Sequence, residues 1–168
     1  IKVLFFAVRN TTFHSEYSQY QTFSPLCNTL GGGGLAKGTV NFGPPGSVDP
    51  ILQTSLVYEN TNRLSQMGSD YFSLVNPYYH APVIPQNVGY HTYSYSLDFI
   101  NLDPMGSTNY GKLTNVSISP EASVGALAAA QPIAVPPVLG MQYAQKYEFI
   151  ITAVNNNIIR VSGGALGF

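Results

Sequence analysis

The sequence predicts an all-β protein, an antiparallel β-sandwich, and three observations carry that expectation. Short runs alternate apolar and polar residues with a period of two. No amphipathic helix longer than two turns is visible, and long stretches rich in Gly and Pro separate the runs. The chain has 168 residues, of which 45 % are hydrophobic, with a formal net charge of −1, a balance that favours a folded chain over a disordered one.

The elements follow in order. Residues 2–9 (KVLFFAVR) read as a buried strand. In residues 52–59 (LQTSLVYE), Leu52, Thr54, Leu56 and Tyr58 share a face. Residues 92–100 (TYSYSLDFI) alternate most clearly, with Tyr93, Tyr95, Leu97 and Phe99 on one side and Ser94, Ser96 and Asp98 on the other. Residues 113–118 and Tyr147–Val154 are further strands. The latter is expected to turn through Asn155, Asn156 and Asn157 into a strand at 158–162, because Asn tolerates the positive φ of hairpin turns. Residues 10–50, with GGGG at 31–34 and GPPG at 43–46, read as a long loop. Residues 61–90 read as a loop holding one short helix around 69–75, stopped by Pro77, and 119–140 as an irregular Ala/Pro/Gly segment. The chain opens in mid-strand without an initiator Met and is read as a piece of a longer polypeptide.

Composition excludes several functions. Charged residues make up only 9 % of the chain, against about 25 % in ordinary soluble domains. The surface must therefore be covered by uncharged polar side chains or by neighbouring subunits, and assembly is the better reading. The seven Lys and Arg are scattered singly, with no stripe to follow a phosphate backbone, so no direct nucleic-acid partner is expected. No transmembrane segment is expected either. The longest weakly apolar run, 125–141, contains Pro132, Pro136 and Pro137. A single cysteine, Cys27, rules out an intrachain disulfide.

The segment DPMGSTNYGKLTN, 103–115, spaces Gly106, Gly111 and Lys112 as a phosphate-binding loop would. The hydroxyl that would hold Mg²⁺ is missing, because Leu113 stands there, and the residues that follow read as a strand where such a loop opens a helix. His14, His80 and His91 lack metal-ligand spacing, the eight acids form no recognisable catalytic pair, and no cofactor, metal or catalytic residue is expected. The aromatic cluster Tyr71, Phe72, Tyr78, Tyr79 and His80 reads as core and interface packing, with a sugar or peptide platform as the alternative. Asn10 and Asn115 head glycosylation sequons that matter only in a secreted chain.

Four segments carry a resemblance: LVYENTNRLSQMGSDYFSLVNPYYHAP (56–82), GYHTYSYSLDF (89–99), DPMGSTNYGKLTN (103–115) and YEFIITAVNNNIIRVSGGALGF (147–168). In this order they resemble the major capsid proteins of iridoviruses. The Pro-x-Gly-Ser-x-Asn core, here Pro104, Gly106, Ser107 and Asn109, resembles a motif widespread in capsid proteins of large cytoplasmic DNA viruses. The resemblance implies a double jelly roll, with three chains forming a pseudo-hexagonal capsomer. Residues 1–168 are then the later, incomplete part of the second jelly roll, strands D to I, without B, C or the first jelly roll. Residues 2–9 would be D, 52–59 E, 92–100 F, 113–118 G, 147–154 H and 158–162 I, in sheets ordered B-I-D-G and C-H-E-F. The loop 10–50 would project outward.

The implied function is a structural subunit of an icosahedral virion shell, assembled in the host cytoplasm. Its partners would be two further copies, neighbouring capsomers and minor capsid proteins. A ligand-binding, lectin-like β-sandwich is the alternative. Residues 103–115 would be the corner from F to G: Pro104 stops strand F, Gly106 and Gly111 adopt unusual backbone angles, and Ser107 and Asn109 bond the backbone of the turn.

Overall fold

The computed structural model describes residues 1–12, 19–22, 49–131 and 144–167. Most of the loop 10–50, including His14, Cys27 and both glycine runs, lies outside the described residues, as does 132–140 of the Ala/Pro/Gly segment. The described strands are β1 (Val3–Asn10), β2 (Ile51–Tyr58), β3 (Thr61–Gly68), β4 (His91–Ser94), β5 (Val116–Ala122), β6 (Tyr147–Val154), β7 (Arg160–Ser162) and β8 (Ala165–Gly167). The helices are short: α1 (Asn76–His80) and α2 (Val124–Ala130).

Two three-stranded antiparallel sheets, β4-β1-β6 and β3-β2-β5, pack face to face. Alternation places Phe6 of β1 and Tyr93 of β4 on the inner face of one sheet, and Leu56 of β2 on the inner face of the other. Ile51 and Phe72 complete this buried cluster. Phe72 stands edge-on to Phe6 at 5.2 Å and to Tyr93 at 6.2 Å, contacts worth about 0.5–1.5 kcal/mol each beyond the area they bury. Replacing Phe72 by Ala would cost roughly 3–5 kcal/mol through the cavity it leaves.

The expected sheet partners are exchanged. The first strand lies between β4 and β6, the place expected for 52–59, and β2 pairs with β5, the place expected for 2–9. Both strands are central in their sheets, so central placement does not distinguish them; β1 is apolar on both faces whereas β2 alternates.

Several boundaries also differ from expectation. β3 falls where a loop was expected. Its apolar residues, Leu64 and Met67, are three apart, because β2 and β3 pair with a bulge in which Leu56 faces Leu64 and Thr54 faces Met67. Gln66 takes φ +48° there, and its amide donates to Ser55 Oγ at 2.9 Å. The strand expected over 92–100 ends at Ser94. Beyond it the Ser and Asp side chains bond nearby backbone: Ser94 Oγ donates to the Ser96 carbonyl, Ser96 Oγ to the Asp98 carbonyl, and Asp98 accepts from the Ile100 amide. Such local bonds replace the ladder.

Pro77 does not stop the helix. A π-helical turn, Tyr71–Val75, runs directly into α1 with Pro77 in its first turn, where a missing N–H costs nothing. α2 was not expected at all. Ser123 caps it by accepting from the Ala126 amide, and its buried residues, Ala126 and Ala129, are too small to mark an apolar stripe. β5 begins at Val116 and runs past Pro120 to Ala122, later than the strand expected at 113–118. Finally, β6 does not form a hairpin with the strand that follows. Among the described residues β7 pairs only with β8, around Gly163 and Gly164 with φ of +58° and +81°, the two positive angles of a tight hairpin turn.

Candidate functional site

Residues 95–113 form a corner laid across one end of both sheets. Its first residue continues the β1 ladder, because the Tyr95 amide donates to the Lys2 carbonyl at 2.8 Å. The bend closes with the Leu97 amide on the Met105 carbonyl at 3.1 Å. Lys2 is buried, and its ammonium donates to the Asn101 carbonyl at 2.6 Å, which ties the outer part of the corner to β1.

The structure places each sequence-singled residue as follows. Pro104 lies on the exposed outer arm, ten residues after β4 has ended, so the side chains of Ser94, Ser96 and Asp98 terminate that strand instead. Gly106 has φ +119°, and a β-carbon there would stand 3.0 Å from the Tyr95 carbonyl. Ser107 is exposed and makes no side-chain hydrogen bond among the described residues. Asn109 precedes a single 3₁₀ turn, Tyr110–Lys112, and its Oδ1 accepts from the Gly111 amide at 2.9 Å. Gly111 has no positive φ, and its close neighbour is that same Oδ1, at 3.2 Å from a built β-carbon.

Three tyrosines clasp the corner to the sandwich, and sequence reasoning missed them. Tyr58 ends β2, Tyr95 follows β4 and Tyr110 sits in the 3₁₀ turn. Their hydroxyls form one cluster, with Tyr95 and Tyr110 at 2.7 Å and Tyr58 bonded to Tyr95. Burial is the main cause that raises the ionisation of Tyr58 and Tyr95 well above the ordinary tyrosine range, and the bonds to Tyr110 add to it. The only sequence signal was alternation, which put Tyr58 on one face with Leu52, Thr54 and Leu56, and Tyr95 on one face with Tyr93, Leu97 and Phe99.

The phosphate-loop reading fails in three dimensions. Lys112 is exposed at the end of one 3₁₀ turn, Leu113 is extended, and the chain enters β5 rather than a helix. Among the described residues, no three His, Cys, Asp or Glu side chains gather as a metal site, and no helix is long and apolar enough to cross a membrane.

The histidines and the aromatic cluster divide. His91 is buried, stacks on Phe6 at 5.2 Å, and faces Asp49 with Nε2 and Oδ2 2.8 Å apart. Asp49 also accepts from the Ile51 amide, which fixes the start of β2. These residues are 42 apart in the chain, so no spacing rule could pair them. Of the cluster 71–80, Phe72 is core, as packing required, but Tyr78 and Tyr79 are 67 % and 71 % exposed. Asn10 is buried, with Nδ2 donating to Gln145 at 2.8 Å, whereas Asn115 is exposed.

Comparison with known proteins gives the geometry a context. The family described as large eukaryotic DNA virus major capsid protein matches residues 1–167. The chain is 61 % identical over all its length to a major capsid protein of Costelytra zealandica iridescent virus, covering 34 % of that relative. It is 59 % identical to that of Invertebrate iridescent virus 6 and 42 % to that of Frog virus 3, again covering 34 % of each. The chain thus spans about a third of the length of the curated relatives it matches. Among solved structures, PBCV-1 VP54, fitted into a cryo-EM reconstruction of the virophage Sputnik, is similar with a TM-score of 0.60 at 19 % identity, over 99 % of this chain and 42 % of that one. A quasi-atomic description of the PBCV-1 virus capsid is similar to the same degree. The shared fold is the antiparallel sandwich of a double jelly roll.

Proposed function

Because the chain belongs to the major capsid protein family of large eukaryotic DNA viruses, we propose that it is part of the structural subunit of an icosahedral virion shell. The family match along residues 1–167 carries this reading. Residues 1–168 supply the later part of the second jelly roll, and the rest of the polypeptide supplies the remaining strands and the first jelly roll. Three copies build a pseudo-hexagonal capsomer that meets neighbouring capsomers and minor capsid proteins, assembles in the host cytoplasm, and makes no direct contact with nucleic acid. The subunit works by packing rather than by catalysis.

Two physical features support the reading. The low charge suits a surface largely covered by neighbours. The corner 104–111 is a mechanical element: it redirects the chain between the sheets, and Gly106 and Asn109 set its backbone. Electron microscopy and light scattering of the full-length protein test the assignment. Trimers with a pseudo-hexagonal outline are expected. A stable monomer that binds glycans on an array would overturn it in favour of a lectin-like module.

A further inference from the structure

The helical segment 71–80 is apolar on both of its sides. Phe72 and Pro77 turn into the sandwich and are buried. On the opposite side Leu74 and Tyr78, and Val75 and Tyr79, stand four apart and so share a face, which is 45–71 % exposed. A surface helix keeps a polar side towards water, and one that is apolar all round is normally buried. The apolar surface continues onto the corner, because His80 Nδ1 donates to the Leu97 carbonyl at 3.1 Å. There Leu97, Ile100 and Leu102 are 71 %, 57 % and 92 % exposed. Polar groups among them are turned to their own backbone: Asp98 accepts from the Ile100 amide, and Asn101 Oδ1 from the Asp103 amide. Asp103 is an exposed charge at the rim.

We propose that this patch is a contact surface for a second copy of the subunit within the capsomer. Size is the first argument. A tyrosine offers about 150–250 Å² for burial, so Tyr78 and Tyr79, at 67 % and 71 % exposure, leave roughly 200–350 Å² uncovered between them. The five aliphatic side chains take the patch beyond the few hundred Å² usual on a monomer, towards the roughly 800 Å² that each partner buries in a standard interface. Its chemistry is the second argument. An aromatic, uncharged centre with a charge at the rim is the anatomy of a protein interface. It offers a partner no charge to match, and a second copy, 9 % charged with a net charge of −1, brings little that would repel. Position is the third. The patch lies on a helix and a bend, whereas further strands of the same polypeptide would add at sheet edges, where ladders are free. The proposal rests on the shell-subunit reading, which supplies the neighbouring copies.

Variants of the full-length protein test it. Leu102→Asp changes a side chain that is 92 % exposed, so the circular dichroism spectrum should be unchanged while association, followed by analytical ultracentrifugation, weakens at least about tenfold. Val124→Asp, at the 77 % exposed start of α2 and outside the patch, should leave association as it was. Tyr79→p-benzoylphenylalanine, in protein assembled from a mixture of ¹⁴N and ¹⁵N subunits, should photocross-link into peptide pairs that carry both isotopes. Trimers that tolerate Leu102→Asp, an equal loss in Val124→Asp, or cross-links confined to one isotope would each overturn this proposal and leave the shell reading standing. A full-length protein that never associates would overturn both.

Discussion

Gly106 rests against the backbone carbonyl of Tyr95, so close that a β-carbon would stand 3.0 Å from that oxygen, and it does so at φ +119°. Both facts exclude a larger residue, for different reasons. The contact is with backbone, which cannot swing away, and the angle lies where L side chains are strained.

Gly106→Ala in the full-length protein should therefore destabilise it by about 1–3 kcal/mol, the usual cost of holding a side chain in such a conformation. Gly111→Ala is the control. Its φ is not positive, and the nearest atom is the Asn109 side chain. Thermal unfolding should show a clear drop for the first variant and a smaller one for the second. Equal drops would mean that the corner tolerates Gly106 being filled.

The tyrosine clasp makes alkaline pH a second test. Tyr58 and Tyr95 have folded ionisations raised above the ordinary value of 10.0, first by burial and then by their bonds to Tyr110, while the bond between them raises Tyr95 and lowers Tyr58. A raised value means that the folded state favours the protonated phenol. The contribution is complete below about pH 10, where an unfolded tyrosine is still protonated, and it is lost as pH rises further. Absorbance at 295 nm should show Tyr58 and Tyr95 among the tyrosines that ionise only with unfolding. Tyr95→Phe should remove the steep part of the stability loss, and an unchanged pH profile would refute the clasp.

What could be read from the chain, and what could not, divides along one physical line. β1, β2 and β6 were placed to within a residue or so because their patterns are unbroken along the strand. β3 was invisible because one extra residue at Gln66 moves Leu64 and Met67 out of step. β4 was read too long because Ser94, Ser96 and Asp98 fit the alternation while their side chains take over the backbone bonds. The corner was legible at Gly106, where a local backbone need selects the residue. The clasp was not, since Tyr58, Tyr95 and Tyr110 meet only once both sheets are in place.

The same sheets predict how the 168-residue chain behaves alone. Among the described residues, each of the two sheets of the sandwich has three strands and so two unpaired edges. Three of these edges are blunted in familiar ways: β3 is bulged, β4 has four residues, and β5 carries Pro120. β6 is not. It is eight residues long without Pro or Gly, and Glu148 is its only charge. Phe149 and Ile151 register with Val8 and Phe6 on the core side, yet remain 36 % and 46 % exposed. Burying such a side chain fully contributes about 1.5–3 kcal/mol, a large share of a typical domain stability of about 5–15 kcal/mol. An apolar unpaired edge also recruits other chains. Expressed alone, residues 1–168 should aggregate or stay molten, and the full-length protein should be soluble. Ile151→Lys should raise the soluble yield of the short chain by charging that edge, yet destabilise the full-length protein, where the same position is covered. A soluble short chain with a sharp thermal transition and dispersed amide resonances would show that the sandwich is complete as it stands.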